Sequence, residues 1–157
     1  MQDPTSLYRF TEGVDLDALR AGVLVTSLGG FVDAGAVQRV LTQHLLATHD
    51  AQLVASFDVD QVLDYRGRRP VMTFERDHWA AYERPSLDLH RVLDRAGTPF
   101  LLLAGPEPDY QWERVAAAVR GLVERLGVQL TVSVHGIPMA VPHTRPLGLT
   151  PHGTDPR

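Results

Sequence analysis

Cysteine and lysine are both missing from this chain. Without cysteine, disulfides and thiolate metal sites are excluded. Without lysine, a phosphoaspartate mechanism that needs a distant Lys beside its nucleophilic Asp lacks a partner. Also missing is any apolar run long enough to span a bilayer. Residues 1–11 mix charge and polarity and lack the apolar centre of a signal peptide, so the expected address is the cytoplasm. An excess of positive charge is missing too. The formal net charge is −4, which argues against a general nucleic-acid or anionic-membrane binder, because both select for surplus basic residues. What is present is an ordinary globular mix, 44% hydrophobic and 22% charged over 157 residues, enough for one domain with a core.

Residues 22–28 read as a buried strand around Val23, Leu24 and Val25, ended by Gly29-Gly30. Asp33 then suits a helix cap, and Val37, Val40, Leu41 and Leu45 follow at helical spacing. Residues 53–57 form the next strand, and residues 71–74 a further one. Residues 86–104 fit either a short helix or a pair of strands. Gly97 in a turn-like Asp94-Arg95-Ala96-Gly97 favours a hairpin leading into Phe100-Leu101-Leu102-Leu103. Asp109 is the expected N-cap of a second helix with the stripe Trp112, Val115, Ala116, Val119, Leu122, Val123 and Leu126, closed by Gly127. The last strand covers residues 128–134. Residues 136–157 are rich in Pro and Gly and are expected to be an irregular tail. There is no internal repeat and no sign of a second domain, so residues 1–157 are expected to form a single α/β domain.

Strands alternating with helices imply a largely parallel sheet covered on both faces. In such sheets ligands bind at the carboxyl ends of the strands. Loops 29–33, 105–109 and 135–138 leave strands at such ends and share one edge if the strands are parallel.

Each motif has a chemical reading and a plainer one. Asp58, Asp60 and Asp64 are close enough in sequence to offer oxygen ligands to a hard cation. The calcium-loop pattern fails, however, and pairing with Arg66, Arg68 and Arg69 or solvation is the ordinary alternative. Those arginines have forks suited to phosphate or carboxylate, yet Asp64 and Tyr65 lie beside them. Gly29-Gly30 before a helix could admit an anion, but Asp33 puts negative charge there, and a tight turn explains the glycines. Ser133 and His135 share a strand face without a nucleophile elbow, so Ser133 reads as packing. His135, His143 and His152 fit no short zinc motif. His143 and Arg145, between Pro142 and Pro146, suggest a rigid polar loop. Trp112 reads as core. No cofactor, metal or catalytic set is assigned.

Taken in order, several stretches resemble the bacterial branch of the proteasome assembly chaperone 2 family. They are Gly30-Phe31-Val32-Asp33-Ala34-Gly35, Phe57-Asp58-Val59-Asp60 and Asp64-Tyr65-Arg66-Gly67-Arg68-Arg69-Pro70. To these add Leu103-Ala104-Gly105-Pro106-Glu107-Pro108-Asp109 with Trp112, then His135-Gly136-Ile137-Pro138-Met139 running to Val141-Pro142-His143-Thr144-Arg145-Pro146. The resemblance covers roughly residues 20–153. It implies a three-layer α/β sandwich with a mostly parallel central sheet, like that of nucleoside phosphorylases and related hydrolases. It also implies a protein-binding role, with proteasome subunits as the expected partners, and frequent homo-oligomers. It brings no catalytic residues. Family members usually continue into a further helical segment, so this chain is expected to be a shortened form, with apolar sheet surface left open. Asp155-Pro156-Arg157 is not the hydrophobic-Tyr-any tail by which some members dock.

The leading expectation is therefore a non-enzymatic binding protein with no nucleic-acid or membrane partner. Its candidate surface comprises Asp33, Asp58, Asp60, Asp64, Tyr65, Arg66, Arg68, Arg69, Glu107, Asp109, His135, His143 and Arg145. The alternative is a phosphorylase- or hydrolase-type enzyme using Asp58, Arg66, Glu107, His135 and His143 around a shared pocket. A third reading is a homo-oligomeric module without a small-molecule site.

Overall fold

A computed structural model describes residues 2–30 and 32–154. Phe31 of the first motif and the tail residues 155–157 lie outside the described residues. A 3-10 turn, Pro4–Leu7, leads into β1 (Tyr8–Phe10). Then follow β2 (Val23–Gly29), α1 (Val37–Thr48), β3 (Ala51–Phe57), β4 (Met72–Glu75) and β5 (His78–Tyr82). The chain continues with β6 (Asp88–Leu93), β7 (Pro99–Pro106), α2 (Trp112–Leu126) and β8 (Leu130–Ser133). Residues 134–154 carry no helix or strand.

The main sheet has six strands in the order β1-β3-β6-β7-β2-β8, and β4 and β5 form a separate two-stranded sheet. The expectation of a mostly parallel sheet is corrected. Only β7–β2 and β2–β8 pair in parallel, whereas β1–β3, β3–β6 and β6–β7 are antiparallel. The physical reason is local. Between β6 and β7 the chain turns back directly, with Gly97 at φ 81°, and a tight hairpin permits only antiparallel pairing. The ambiguous stretch 86–104 is thus the hairpin, not the helix. Because β6 sits reversed between β3 and β7, strands β2, β3, β7 and β8 still point the same way.

β7 explains the core. Leu101 and Leu103 face one side with α2, while Leu102 and Ala104 face the other with α1. On the first side Val115, Ala118, Leu122 and Leu126 recur at helical spacing and pack with Leu24, Leu87 and Leu89. Each fully buried Leu stabilises this layer by about 1.5–3 kcal/mol. The helix ends at Gly127, whose φ of 73° lets its N–H bond Val123 O. The second side is thinner. Its buried set is Val92, Leu102 and Ala104, and Leu45 and Leu46 of α1 are only partly covered. Val40, expected in the apolar stripe, is 56% exposed.

Three further expectations are revised. Trp112 is 70% exposed, with its indole N–H donating to Pro108 O at 2.8 Å. At the first turn of α2 the buried residues are Arg114 and Val115 instead. Asp109 is not the N-cap, a position held by Gln111. Ser133 is exposed on β8 and packs no core, because β8 is an edge strand.

Candidate functional site

The shared direction of β2, β3, β7 and β8 brings the loops that follow them to one edge of the sheet, including loop 58–70 after β3. One guanidinium ties three of these loops together. Arg68 Nη1 donates to Gly29 O at 3.0 Å, at the end of β2. Its Nη2 lies 3.0 Å from Asp109 Oδ1, beyond β7. The other Asp109 oxygen accepts the backbone N–H of Asp64 at 2.8 Å, and Asp64 Oδ1 accepts from the backbone N–H of Arg66 at 2.9 Å. Both Arg68 and Asp109 are part-buried, so this single-contact ion pair is better shielded than a surface one. The Asp64 charge nearby raises the Tyr110 phenol above its ordinary range.

The remaining candidates are dispersed along the edge. Asp58 Oδ2 accepts from Gln61 Nε2 at 2.8 Å. Asp60 accepts the Tyr65 hydroxyl at 2.5 Å. That bond holds the proton on Tyr65, whose pKa is pushed up to about 12. The three carboxylates once considered together for a cation therefore have three separate engagements. Among the described residues no group of three or more His, Asp or Glu side chains converges as a cation would need. Asp33 Oδ1 accepts the Gln38 backbone N–H at 3.1 Å in the first turn of α1, although the N-cap position there is held by Ala36. Glu107 is exposed and lies over Gly30, where a Cβ would collide with its Oε2. Arg66 and Arg69 are exposed and make no ion pair among the described residues. His135, His143 and Arg145 are exposed in the irregular stretch. Its start is anchored, since Ala34 N–H donates to Gly136 O at 3.0 Å.

Two cavities open near this edge. One, of about 380 Å³, lies where β2 and β7 end and is lined by Ser27, Gln38, Thr42, Arg68 and Gly105 among others. The other, of about 570 Å³, is a shallow depression beside Asp109, Tyr110, Trp112 and Arg114. Neither is lined by any of Asp58, Arg66, Glu107, His135 or His143. The shared pocket that the enzyme alternative requires is not formed by either cavity.

Sequence reasoning missed two features. The first is Arg114, 5% exposed, whose guanidinium bonds Asp3 O, Gln2 Oε1, Gln61 Oε1, Gln111 Oε1 and Ser6 Oγ at 2.6–3.0 Å. A buried cation held by neutral acceptors clamps the N-terminal turn to α2. Nothing in the local pattern marks an Arg inside an apolar stripe as buried. The second is β5, which pairs with the expected strand β4 as a hairpin ahead of β6. Every residue of both strands is exposed. Phe74 pairs with Trp79, but Met72 pairs with Tyr82, so one residue of β5 is extra. Residues directly opposite on antiparallel strands share a face, and the bulge shifts the alternation by one. Met72, Phe74, Trp79 and Tyr82 therefore line a single apolar face, with the Phe74 and Trp79 rings 5.1 Å apart, edge to face.

Residues 27–157 match the model of the PAC2 family. The chain belongs to the PAC2 family. All the stretches carrying the resemblance fall within that match. Among solved structures, a Mycobacterium tuberculosis protein of unknown function is 50% identical with a TM-score of 0.83, over 89% of this chain and 49% of its own. A Corynebacterium glutamicum protein of unknown function is 38% identical with a TM-score of 0.81, over 89% of this chain and 53% of its own. A proteasome-assembly chaperone homologue from M. tuberculosis shares the fold at 24% identity and a TM-score of 0.69, over 79% of this chain and 53% of its own. The chain thus spans about half the length of these solved structures. No curated protein matched. Among the described residues, no helix is long and apolar enough to cross a membrane.

Proposed function

We propose that this PAC2-family chain is a non-enzymatic protein-binding domain, acting as an assembly-chaperone-like scaffold for proteasome or related subunits. The observation that carries this reading is the exposed apolar face of the β4–β5 hairpin. Four large side chains, Met72, Phe74, Trp79 and Tyr82, stand on one side of a two-stranded ribbon that makes no sheet pairing with the main body. An isolated hairpin is marginal in water, and an uncovered aromatic cluster is costly there. Aromatic and Met side chains are the residue types that anchor partner proteins.

Within this reading, the thirteen edge residues named from sequence offer further polar contacts for the same partner. The two helices on opposite faces of the sheet are the beginnings of the three-layer arrangement, in a single domain that works in the cytoplasm. Association of copies through the thin α1 side belongs to the same proposal. The kinship with a proteasome-assembly chaperone homologue supports the choice of partner class.

The test is a pull-down from native lysate with quantification of α- and β-type proteasome subunits. The reading expects enrichment over a control bait, and loss of it when Phe74 and Trp79 are both replaced by Ser. Recovery equal to the control bait would sink it.

A further inference from the structure

Tyr110 and Trp112 are tied down at the start of α2 and yet left uncovered. The Asp109 and Tyr110 backbone N–H groups both donate to Val62 O, at 2.8 and 3.1 Å. Gln111 follows in the left-handed region at φ 57°. Its Nε2 donates to Gln61 O at 2.7 Å, and its Oε1 accepts from Arg114 Nη1 at 2.7 Å. The Trp112 indole N–H is fixed on Pro108 O. Despite these ties Trp112 is 70% exposed and Tyr110 51%. Aromatic rings held in place with nothing packed on them form a preorganised contact surface, since binding no longer has to order them.

Both rings line the depression of about 570 Å³, together with Asp109, Glu113 and Arg114. Its charges decide what fits. Arg68 is matched by Asp109. Arg114 is enclosed among neutral acceptors, and the Asp3 carboxylate is near enough to feel its charge. The partial positive charge at the start of α2 is opposed by Glu113 in the first turn. Glu113 makes no ion pair among the described residues, and neither does Asp64. Carboxylates are thus in excess around the rings: Asp3, Asp64, Asp109 and Glu113 against Arg68 and Arg114. The Tyr110 phenol registers this excess, raised above its ordinary range by the Asp64 charge foremost, with Asp109 adding to it.

We infer that this depression binds a small organic cation with a quaternary ammonium head, seated against the Trp112 and Tyr110 rings. The face of an aromatic ring attracts a cation, the indole most strongly. A head without N–H groups also suits the lining, whose polar groups are mostly occupied. Both Asp109 oxygens and both ends of the Gln111 amide already have partners. A metal ion does not suit it, because no three carboxylate or imidazole groups converge among the described residues. An anion would meet the surplus carboxylates. The site is independent of the hairpin face.

The experiment titrates choline chloride into the isotope-labelled full chain at constant ionic strength, following the Trp112 indole N–H and the backbone amides of residues 109–113 by NMR. The matched control is 3,3-dimethylbutan-1-ol, which keeps the shape of choline and lacks its charge. Saturable shifts are expected with choline, with affinity weaker by about tenfold for the alcohol, the loss of the cation's attraction to two rings. Trp112→Leu, at an exposed position, should weaken choline about fivefold and also identifies the indole signal. A protein with Phe74 and Trp79 both replaced by Ser should bind choline as before, which separates this site from the hairpin. The proposal is overturned if choline gives no saturable shifts at these residues, or if choline and the alcohol bind equally. It is also overturned if a folded Trp112→Leu protein binds choline unchanged. Should Trp112→Leu fail to fold, the two-probe comparison on the unaltered chain decides the matter alone.

Discussion

Gly105 shows how one backbone position constrains the strand-end edge. Its φ is 150°, and a Cβ built there would collide with Ser86 O and lie 2.7 Å from Leu87 Cα. Both obstacles are backbone just before β6, so neither can swing away as a side chain could. Gly105→Ala should destabilise the fold by roughly 2–4 kcal/mol through strain and overpacking. Urea unfolding checks this, and a change under about 0.5 kcal/mol would contradict the close approach of β7 to loop 86–87. Tyr65 makes a second prediction at this scale. Its bond to Asp60 needs the phenol proton, and its pKa is pushed up from 10.0 to about 12. A folded pKa above the unfolded value means that the stabilisation is fully present below pH 10 and fades as pH rises toward about 12. An absorbance titration of the tyrosinates should show a late component that disappears in Tyr65→Phe. A titration unchanged by that substitution would mean that the hydroxyl does not donate to Asp60.

At the scale of elements, Arg114 joins α2 to the N-terminal turn. Arg114→Met keeps much of the buried volume and removes five hydrogen bonds to residues 2–6, Gln61 and Gln111. It should cost about 2–3 kcal/mol, since bonds to a charged group are the stronger kind. The loss should be local first: hydrogen exchange should quicken across residues 2–10 while β7 and the buried face of α2 stay protected. Uniform exchange across the chain would argue that the clamp is not a separate unit. Legibility at this scale depended on the period. β2, β7 and both helices repeat their apolar residues regularly and were readable, and Gly97 revealed the β6–β7 turn. β5 was hidden because its bulge puts Trp79 and Tyr82 on one face at an odd spacing, which breaks the alternation a strand would show. β1 is only three residues long and leaves no pattern. Trp112 and Val40 misled because a helical stripe says which residues share a face, not how far the neighbouring sheet extends beneath it.

For the whole molecule, the order of strands was beyond local reading. Each strand was inferred from its own residues, but the placement of β6 between β3 and β7 arises from pairing between distant segments. The edge that gathers the loops survived this error, because β2, β3, β7 and β8 keep a common direction even though β6 interrupts them. The family was legible because its signature lies in those loops, whose Gly, Pro and charged residues are set by turns and by the Arg68–Asp109 tie, not by generic core packing. The burial of Gln38, 7% exposed, was not legible at all, because an isolated Gln on a helix carries no such signal. The central claim is that the hairpin face docks a protein partner of the proteasome class. Sedimentation velocity of the chain mixed with purified proteasome α-type subunits measures it most directly. The account predicts a faster-sedimenting complex for the unaltered chain that is absent when Phe74 and Trp79 are both Ser. The claim is contradicted if the unaltered chain sediments alone, or if the double variant forms the complex equally well.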